Sequence, residues 1–512
     1  MYDDSTAILY GLVALVPVVY LVRRLWPSPH DYPNIPAVGP SAPLLSYWGA
    51  LQFLIRGNEM VHEGYKKYKG GAFKVPELFR WHVVVTGRKL IEDLRRAGSD
   101  ELSFNEASAD FIAVDFTLGP AIHQNTYHVG VIKNQLTRSI ALLLPEIKDE
   151  VQAAFSDLIP PTDDWVKVPA LNTIMKIISR TSNRTFVGLP KCRDPDYMAL
   201  NIEFTVGVMK GAFVINMFPE FLRPLAARLL TNVPANISRG VKHLGPIIHE
   251  RMRLEELYGK DYDGKPNDLL SWFMDEAKGE ERSIRALVLR ILTINFASIH
   301  TTSMSFTHAL YHLAANPEYM EPLRAEATKV IKQDGWTRTA MNKLRRLDSF
   351  LKESHRHHGI GSFTMTRKAL KDFTFSDGTF IPKDGFVSAA ESPTHFDPEN
   401  YENPEVFNPW RFVEDDKSGD VEGKENGAAS GEGNVKNLMV STSTDYVTFG
   451  HGRFACPGRF FAASELKLMM AYLVLNYDVQ MEEPGVIPPP VWYSVKVQPN
   501  PTAKVLFRRR RS

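Results

Sequence analysis

Phe449–Gly458 reads FGHGRFACPG and contains Cys456, one of two cysteines in a chain of 512 residues. The stretch is rich in glycine, and a strongly apolar helical pattern begins directly after it, at Arg459. A thiol at the N-terminus of a helix meets the positive end of the helix dipole and unpaired N–H groups, and both favour the thiolate. Such a thiolate is a nucleophile or a metal ligand, whereas most lone cysteines are buried structural residues. The rest of the chain has to separate these three interpretations.

The composition is that of an ordinary globular protein. Hydrophobic residues make up 44% and charged residues 23% of the chain, so most of it can bury a core. The formal net charge of +1 gives no reason to expect a nucleic-acid partner. Two cysteines, Cys192 and Cys456, are too few for a disulfide framework and suit a reducing compartment.

The N-terminus predicts a membrane anchor over residues 1–26. Ala7 to Val22 is an unbroken apolar run, and with its neighbours it reaches roughly 20 residues, enough to cross a bilayer as a helix. The acidic start and the missing cleavage site argue against a cleaved signal peptide. Arg23 and Arg24 follow the run, so the positive-inside rule places the remaining chain in the cytosol.

The chain after the anchor divides into a hinge and one large domain. The hinge, residues 27–50, is rich in proline, which predicts a stiff and extended segment. The domain, residues 51–512, contains a low-complexity stretch at 415–437 that has few large apolar residues and predicts a flexible insertion.

Helical patterns dominate the domain, and the longest runs from Ser283, a good N-cap, to Asn316, which precedes a proline. Apolar residues cover most of this helix, which predicts burial. Its middle is nevertheless polar, with Ser298, His300, Thr301, Thr302, Ser303 and Ser305. Polar groups in a buried helix need partners or border a cavity.

Four features thus follow one another: the anchor, this helix with ASIHTT at residues 297–302, the segment Glu353–Arg356, and the cysteine loop. Between the last two lies Phe407–Phe412, which reads FNPWRF. In this order the chain resembles the cytochrome P-450 family, the haem-thiolate monooxygenases, and in detail their fungal microsomal members. The resemblance covers essentially the whole chain. It implies the P-450 fold, mainly α with a smaller β region, and haem b as cofactor.

The cysteine loop is the most specific part of the resemblance. The family pattern Phe-x-x-Gly-x-Arg/His-x-Cys-x-Gly is matched by Phe449, Gly452, Cys456 and Gly458. The resemblance implies that Cys456 ligates the haem iron. It also implies that glycines let the backbone approach the porphyrin and that Phe449 packs beside the sulfur.

Two positions depart from the family pattern where it binds the haem propionates. Phe454 stands where the family has arginine or histidine, and the neighbouring Arg453 is the candidate replacement. Arg367 resembles the family's other propionate-binding arginine. The family's Trp-x-x-x-Arg is also missing; His128 and Lys133 are the candidates there, with a solvated helix face as the alternative.

The Glu-x-x-Arg pattern occurs repeatedly in this chain and usually marks a surface helical pair. At Glu353 and Arg356, however, it is followed by Arg411 in the FNPWRF segment and then by the cysteine loop. The resemblance implies that these three residues form a buried ion-paired triad that holds the loop. The i,i+3 spacing places Glu353 and Arg356 on one helix face, where the arginine can form a bidentate pair with the carboxylate.

The long helix fits the family pattern Ala/Gly-Gly-x-Asp/Glu-Thr-Thr at Ala297, Thr301 and Thr302. The resemblance implies that Thr301 relays protons for cleavage of the O–O bond. His300 replaces the acid of the pattern. It titrates near neutrality and could deliver protons, or it could bind a polar group on the substrate.

The resemblance implies a membrane-bound monooxygenase that inserts one oxygen atom from O2 into a C–H bond. NADPH supplies the electrons through cytochrome P-450 reductase at the endoplasmic reticulum, with cytochrome b5 as a second candidate partner. Similarity to fungal members favours a terpenoid or sterol-like substrate of secondary metabolism. Predicted substrate-facing segments are 103–124, 206–217, 296–305, 359–366 and 491–495.

Two alternatives stay open. One is a thiolate-haem isomerase or dehydratase that needs no O2, although Thr301 speaks against it. The other is a non-catalytic membrane protein that binds haem or a sterol.

Overall fold

A computed structural model of the chain describes residues 32–42, 45–78, 80–218, 220–413 and 437–511. The predicted anchor, part of the proline-rich hinge and nearly all of the predicted insertion lie outside the described residues.

The described chain is mainly helical, as the sequence predicts. Its α-helices are α1 (Leu45–Lys67), α2 (Gly87–Arg96), α3 (Phe104–Phe111), α4 (Val114–Thr117), α5 (Ala121–Gln124), α6 (Tyr127–Val131), α7 (Thr137–Leu158), α8 (Ala170–Phe186), α9 (Pro195–Asn216), α10 (Arg223–Leu230), α11 (Val233–Tyr258), α12 (Leu269–Glu276), α13 (Ile284–Ala315), α14 (Met320–Asp334), α15 (Arg338–Lys343), α16 (Arg345–His357), α17 (Ser392–His395) and α18 (Arg459–Asn476). A π-helical turn, Ile132–Leu136, joins α6 to α7.

A smaller β region accompanies the helices. Its strands are β1 (Ala72–Pro76), β2 (Trp81–Val85), β3 (Leu102–Ser103), β4 (Val166–Pro169), β5 (Phe363–Ala369), β6 (Phe373–Thr374), β7 (Phe380–Ile381), β8 (Phe386–Ala390), β9 (Tyr477–Met481), β10 (Val491–Tyr493), β11 (Lys496–Gln498) and β12 (Lys504–Arg509). The largest sheet has the order β1-β2-β8-β5-β3, in which β2 and β8 are parallel and the other neighbours antiparallel. Strands β4, β12 and β9 form a second sheet, while β6–β7 and β10–β11 are hairpins.

Helix α13 is the centre of the helical core. It begins where the sequence predicts, because the Ser283 hydroxyl accepts the Ala286 N–H, and it ends at Asn316. Its 32 residues extend over roughly 48 Å. Helix α11 approaches it closely at Gly240, where a β-carbon would lie 3.0 Å from Val288 and from Leu292.

By length and composition, α9 and α13 are the described helices that could cross a membrane. Buried residues make up 44% of the apolar window in α9 and 50% of that in α13. Apolar core helices have the same character, so this finding is weak evidence for a membrane span.

Helix α16 differs from its predicted start. The sequence from about Leu347 to His358 predicts a helix with Asp348 as its cap. Helix α16 instead begins at Arg345, and the Glu326 carboxylate on α14 accepts the N–H groups of Arg346 and Leu347. Asp348 lies inside α16, is buried, and accepts the Met439 N–H at 2.7 Å. Its carboxylate therefore holds another segment of the chain instead of capping its own helix.

The chain on either side of residues 414–436 returns to one place on α16. The Phe412 N–H donates to the Ser349 hydroxyl at 3.0 Å, and Ser349 adjoins Asp348, the acceptor of the Met439 N–H. The two flanks are thus tied to consecutive residues of one buried helix.

Candidate active site

The cysteine loop owes its shape to two glycines. Gly450 and Gly452 have φ values of +69° and +77°, a left-handed region that glycine enters without steric cost. A β-carbon at Gly452 would also lie 2.4 Å from the Arg95 side chain. The Cys456 N–H donates to the Phe449 carbonyl at 2.8 Å and closes the loop.

The thiol of Cys456 lies where backbone donors can reach it, but the expectation that this favours the free thiolate is wrong. Burial raises the pKa of Cys456, and hydrogen bonds from the Gly458 and Arg459 N–H groups and the charge of Arg459 oppose that rise without cancelling it. A protonated thiol is a poor nucleophile. A cation bound at the sulfur would restore the thiolate, so the loop suits a metal ligand better than a free nucleophile.

The described part of the protein offers no complete set of side-chain ligands for such a cation at Cys456. In the described ranges, no three histidine, cysteine, aspartate or glutamate side chains are grouped so that they could hold a metal ion. The other cysteine, Cys192, is buried, and burial raises its pKa to about 12, as expected of a structural thiol. The site therefore suits a metal that brings most of its own ligands.

The structure brings Glu353, Arg356 and Arg411 together. Arg356 donates to both Glu353 carboxylate oxygens, at 2.8 and 2.9 Å, and Arg411 Nε lies 3.0 Å from the same carboxylate. Glu353 and Arg356 are fully buried. Burial raises the pKa of Glu353, but hydrogen bonds from Arg356 and His357 outweigh that effect, and its pKa falls well below the usual range.

A hydrogen-bonded path leads from this triad to the cysteine loop. Arg356 donates to the His395 carbonyl at 2.6 Å, and His395 Nε2 accepts the Val447 N–H at 3.2 Å. Val447 in turn accepts the Gly450 N–H at 2.8 Å inside the loop. Burial lowers the pKa of His395 to about 3, which keeps Nε2 an acceptor. Sequence reasoning missed His395, because nothing around it marks it as a link.

Arg367 lies on β5 beside Phe454, the residue that departs from the family pattern. Its guanidinium carbon is 4.5 Å from the Phe454 ring centroid and 5.6 Å from that of Phe104, within cation–π range. Arg367 is 1% exposed, and its Nε has no hydrogen-bond partner among the described residues. Burial lowers its pKa only to about 10, so it stays charged at neutral pH. A buried cation with an unused donor suits a bound anion. Arg453, by contrast, is exposed.

The other two candidate propionate contacts are His128 and Lys133. His128 Nδ1 accepts a hydrogen bond from Arg290 at 2.6 Å, and burial, with the Arg290 charge, lowers its pKa to about 4. His128 is therefore a neutral acceptor at pH 7. Lys133 is exposed on the π-helical turn, while the adjacent Ile132 is the residue that lies beside Gly458.

Thr301 and His300 point to different neighbours at the middle of α13. The Thr301 hydroxyl donates to the Ala297 carbonyl at 2.8 Å, and Thr301 is half-buried. His300 Nε2 lies 3.1 Å from the Ile202 carbonyl on α9. Burial lowers the pKa of His300, although that hydrogen bond opposes the shift. The Ser298 hydroxyl is buried and has no hydrogen-bond partner among the described residues. The middle of α13 therefore contains a polar group whose hydrogen-bonding capacity is unused.

His355 also lies at the loop and is absent from the sequence-based candidates. Its ring centroid is 5.5 Å from that of Phe449, and burial lowers its pKa to about 4. A buried neutral ring thus packs behind the phenylalanine that begins the cysteine loop.

Fold and site together are those of a haem-thiolate enzyme, because one protein thiolate suffices for iron where a porphyrin supplies the in-plane ligands. The sequence model of the cytochrome P450 family matches residues 131–507, and the chain belongs to this family. It is an oxidoreductase, a monooxygenase that binds haem, receives electrons from a reductase and takes a hydrophobic substrate.

Individual relatives agree with this assignment. A protein named cytochrome P450 monooxygenase 151, from Postia placenta, is 47% identical over 512 residues, which cover 99% of this chain and 100% of that protein. An ent-kaurene oxidase from Gibberella intermedia is 31% identical over 93% of this chain and 88% of that protein. The solved structure of a retinoic-acid-bound cyanobacterial CYP120A1 gives a TM-score of 0.68 at 20% identity, covering 93% of this chain and 99% of that one, and so shares the fold.

The residues present fit haem. The unused Nε of buried Arg367 is suited to a carboxylate, and the N–H groups directed at Cys456 are suited to a metal-bound thiolate. Sequence similarity and the orphaned donor therefore point to the same group.

Replacing Arg367 with methionine should weaken haem binding by about tenfold or more, because the cation that faces an anionic group is lost. The measurement is the rate of haem transfer from the purified protein to an excess of apomyoglobin. Arg453→Met is the matched comparison and should change the rate far less, since its side chain is exposed. Equal transfer rates for the two variants would contradict the role of Arg367.

Proposed function

We propose that this monooxygenase is held in the endoplasmic reticulum membrane by residues 1–26 and oxidises a C–H bond of a terpenoid or sterol-like scaffold. The proposed terpenoid or sterol-like substrate rests on similarity to an ent-kaurene oxidase over 93% of the chain. Secondary metabolism is the proposed setting, and NADPH–cytochrome P450 reductase is the electron donor. Cytochrome b5 is a second proposed donor.

Exposed apolar surface supports the membrane location. Phe213 at the end of α9 and Leu229 in α10 are exposed, and Phe221 between these helices is 79% exposed. In the first half of α1, Trp48 and Ile55 are exposed as well. Apolar side chains in such number are typical of a surface that contacts a membrane or a partner. With the anchor, they would place the substrate entrance at the lipid surface.

Each candidate residue then has a proposed task. Cys456 holds the iron, Arg367 pairs with a haem carboxylate, and the triad of Glu353, Arg356 and Arg411 braces the cysteine loop. Phe449, Gly452 and Gly458 shape that loop. Haem bound there supplies the activation of O2 that hydroxylation of an unactivated carbon requires. His128, Lys133 and Arg453 remain weaker candidates for the haem edge.

The proposed proton donor is Thr301, whose hydroxyl lies on the half-buried face of α13. His300 donates its Nε2 proton to the Ile202 carbonyl, which leaves Nδ1 as an acceptor. An acceptor suits a hydroxyl group of the substrate better than proton delivery. We therefore assign proton relay to Thr301 and substrate contact to His300.

Thr301→Val should lower the product formed per NADPH consumed by about tenfold or more, since a positioned proton donor is worth at least that much. His300→Ala should instead raise KM and leave this coupling nearly unchanged. Both are measured with the reductase-reconstituted enzyme and any accepted substrate. If His300→Ala uncouples NADPH use as strongly as Thr301→Val, the division of roles is wrong.

The function itself is tested by expression with a reductase in a microbial host that is fed a panel of neutral terpenes and sterols. Hydroxylated product that requires both NADPH and O2 would support the proposal. Conversion without O2 would favour the thiolate-haem isomerase or dehydratase instead. Haem binding without conversion of any panel member would contradict the proposed substrate class.

A further inference from the structure

Arg367 is a buried cation that forms no ion pair with a carboxylate in the described part of the chain. Its side chain is 1% exposed, its Nη1 donates to the Thr366 carbonyl at 2.9 Å, and its Nε has no partner among the described residues. Arginine stays protonated in proteins, and a buried charge without a counter-ion is costly. Some other group must therefore stabilise this guanidinium.

The rings of Phe104 and Phe454 contact the guanidinium and supply this stabilisation. The guanidinium carbon of Arg367 lies 4.5 Å from the Phe454 ring centroid and 5.6 Å from that of Phe104, and the two centroids are 6.4 Å apart. These distances place the rings on two adjacent sides of the cation, so that the other sides stay free. A ring face attracts a cation but carries no oxygen that would occupy its N–H donors.

The β3–β5 ladder brings Phe104 to this position. Strand β3 pairs with β5 so that Ser103 lies opposite Lys368, the neighbour of Arg367. Phe104 follows Ser103 directly and begins α3, and the Ser103 hydroxyl caps that helix by accepting the Glu106 N–H at 3.2 Å. Sheet pairing and helix capping thus fix the backbone on both sides of this ring.

Phe454 reaches the same guanidinium from the cysteine loop. It is the last residue of the short turn Gly452–Phe454 and lies two residues before Cys456. The family pattern has arginine or histidine at this position, and a cation there would add a second positive charge beside Arg367. A ring instead stabilises the charge that is already present. Arg453, next to it in the chain, is exposed.

We propose that Phe454, together with Phe104, positions Arg367 for a haem carboxylate. One arginine held by two rings would then serve where the family pattern supplies a second basic residue. Phe454 is a positioning residue in this arrangement, because it acts on haem only through Arg367. A cation that is already held in place loses less conformational freedom when it binds an anion. This inference rests on the proposed pairing of Arg367 with haem.

A double-mutant cycle on the full-length, haem-loaded protein tests this role, with the rate of haem transfer to excess apomyoglobin as the measurement. Phe454→Leu keeps an apolar side chain but removes the ring, and it should speed haem loss about 3- to 30-fold. In an Arg367→Met background, the same substitution should change the rate by less than about twofold. Phe454→Tyr keeps the ring and should stay within about twofold of the wild-type rate.

Trp165→Leu is the matched control. The half-buried Trp165 ring also lies 4.5 Å from an arginine, Arg508 on β12, so the variant loses a cation–π contact of the same length. Its haem-transfer rate should equal that of the wild type. The red-shifted carbon monoxide band of reduced Phe454→Leu should also persist, because ligation by Cys456 does not depend on Arg367.

Three results would overturn the inference: a wild-type rate in Phe454→Leu, equal acceleration by Phe454→Leu with and without Arg367, or loss of the red-shifted band in Phe454→Leu. If Phe454→Leu does not fold, Phe104→Leu, which lies outside the cysteine loop, decides in its place. It should speed haem loss about 2- to 5-fold, and only when Arg367 is present.

Failure of the inference is distinct from failure of the proposals on which it builds. A wild-type rate in Arg367→Met would remove the pairing of Arg367 with haem and the inference with it. Acceleration by Arg367→Met without any effect of either phenylalanine variant would remove the inference alone. The substrate class is tested separately, by oxidation of the terpene and sterol panel.

Discussion

Cys456→Ala is expected to abolish the red-shifted carbon monoxide band of the reduced enzyme and all monooxygenase activity. Cys456 is the sole thiol in the glycine-shaped loop, and no group of three or more histidine, cysteine, aspartate or glutamate side chains in the described ranges could form a metal site in its place. The measurement is the reduced carbon monoxide difference spectrum of the purified full-length protein, together with its haem content.

Cys192→Ala is the matched control for this result. Cys192 is buried in the short turn Lys191–Arg193, on the helical side of the molecule between α8 and α9. Its loss should cost some stability and leave the carbon monoxide band in place. A band that survives in Cys456→Ala would show that another residue ligates the iron.

Glu353→Gln is expected to destabilise the enzyme by about 3–5 kcal/mol, because removing one partner of a buried ion pair leaves the other charge uncompensated. Arg356 is fully buried, and Arg411 also loses its charged partner, the Glu353 carboxylate. The path through His395 to Val447 should loosen, so haem content should fall with stability. Chemical unfolding, followed by circular dichroism and by the Soret band, measures both.

Glu250→Gln separates this effect from the general loss of a Glu-x-x-Arg pair. Glu250 and Arg253 have the same spacing and a hydrogen bond of 2.7 Å, but both are exposed. Exposed pairs are worth at most about 1 kcal/mol. Similar destabilisation of the two variants would mean that burial of the triad contributes nothing.

The sequence predicts helix α13 and the mainly helical fold well, because capping and apolar periodicity depend on residues that are close together in the chain. Ser283 shows this, since its cap depends on the next three residues. The start of α16 was wrong for the opposite reason: Glu326, on another helix, accepts its first N–H groups. A pattern within one segment carries no information about such a partner.

The site shows the same division. The Cys456 loop is recognisable from its glycines, but the protonation of its thiol depends on burial, which reversed the expected direction. Phe454 is visible as a departure from the family pattern, whereas its cation–π contact with Arg367 joins residues far apart in the chain.

The two flanks of residues 414–436 meet on α16, at Asp348 and Ser349, and this has a consequence for how the family can diversify. A segment whose ends are fixed side by side can change in length at little cost, because loop-closure entropy grows only slowly with length. Substitutions, insertions and deletions within residues 414–436 should therefore leave the cysteine loop and the triad of Glu353, Arg356 and Arg411 intact. The same point offers protein engineers a place to insert a reporter domain or a fused reductase.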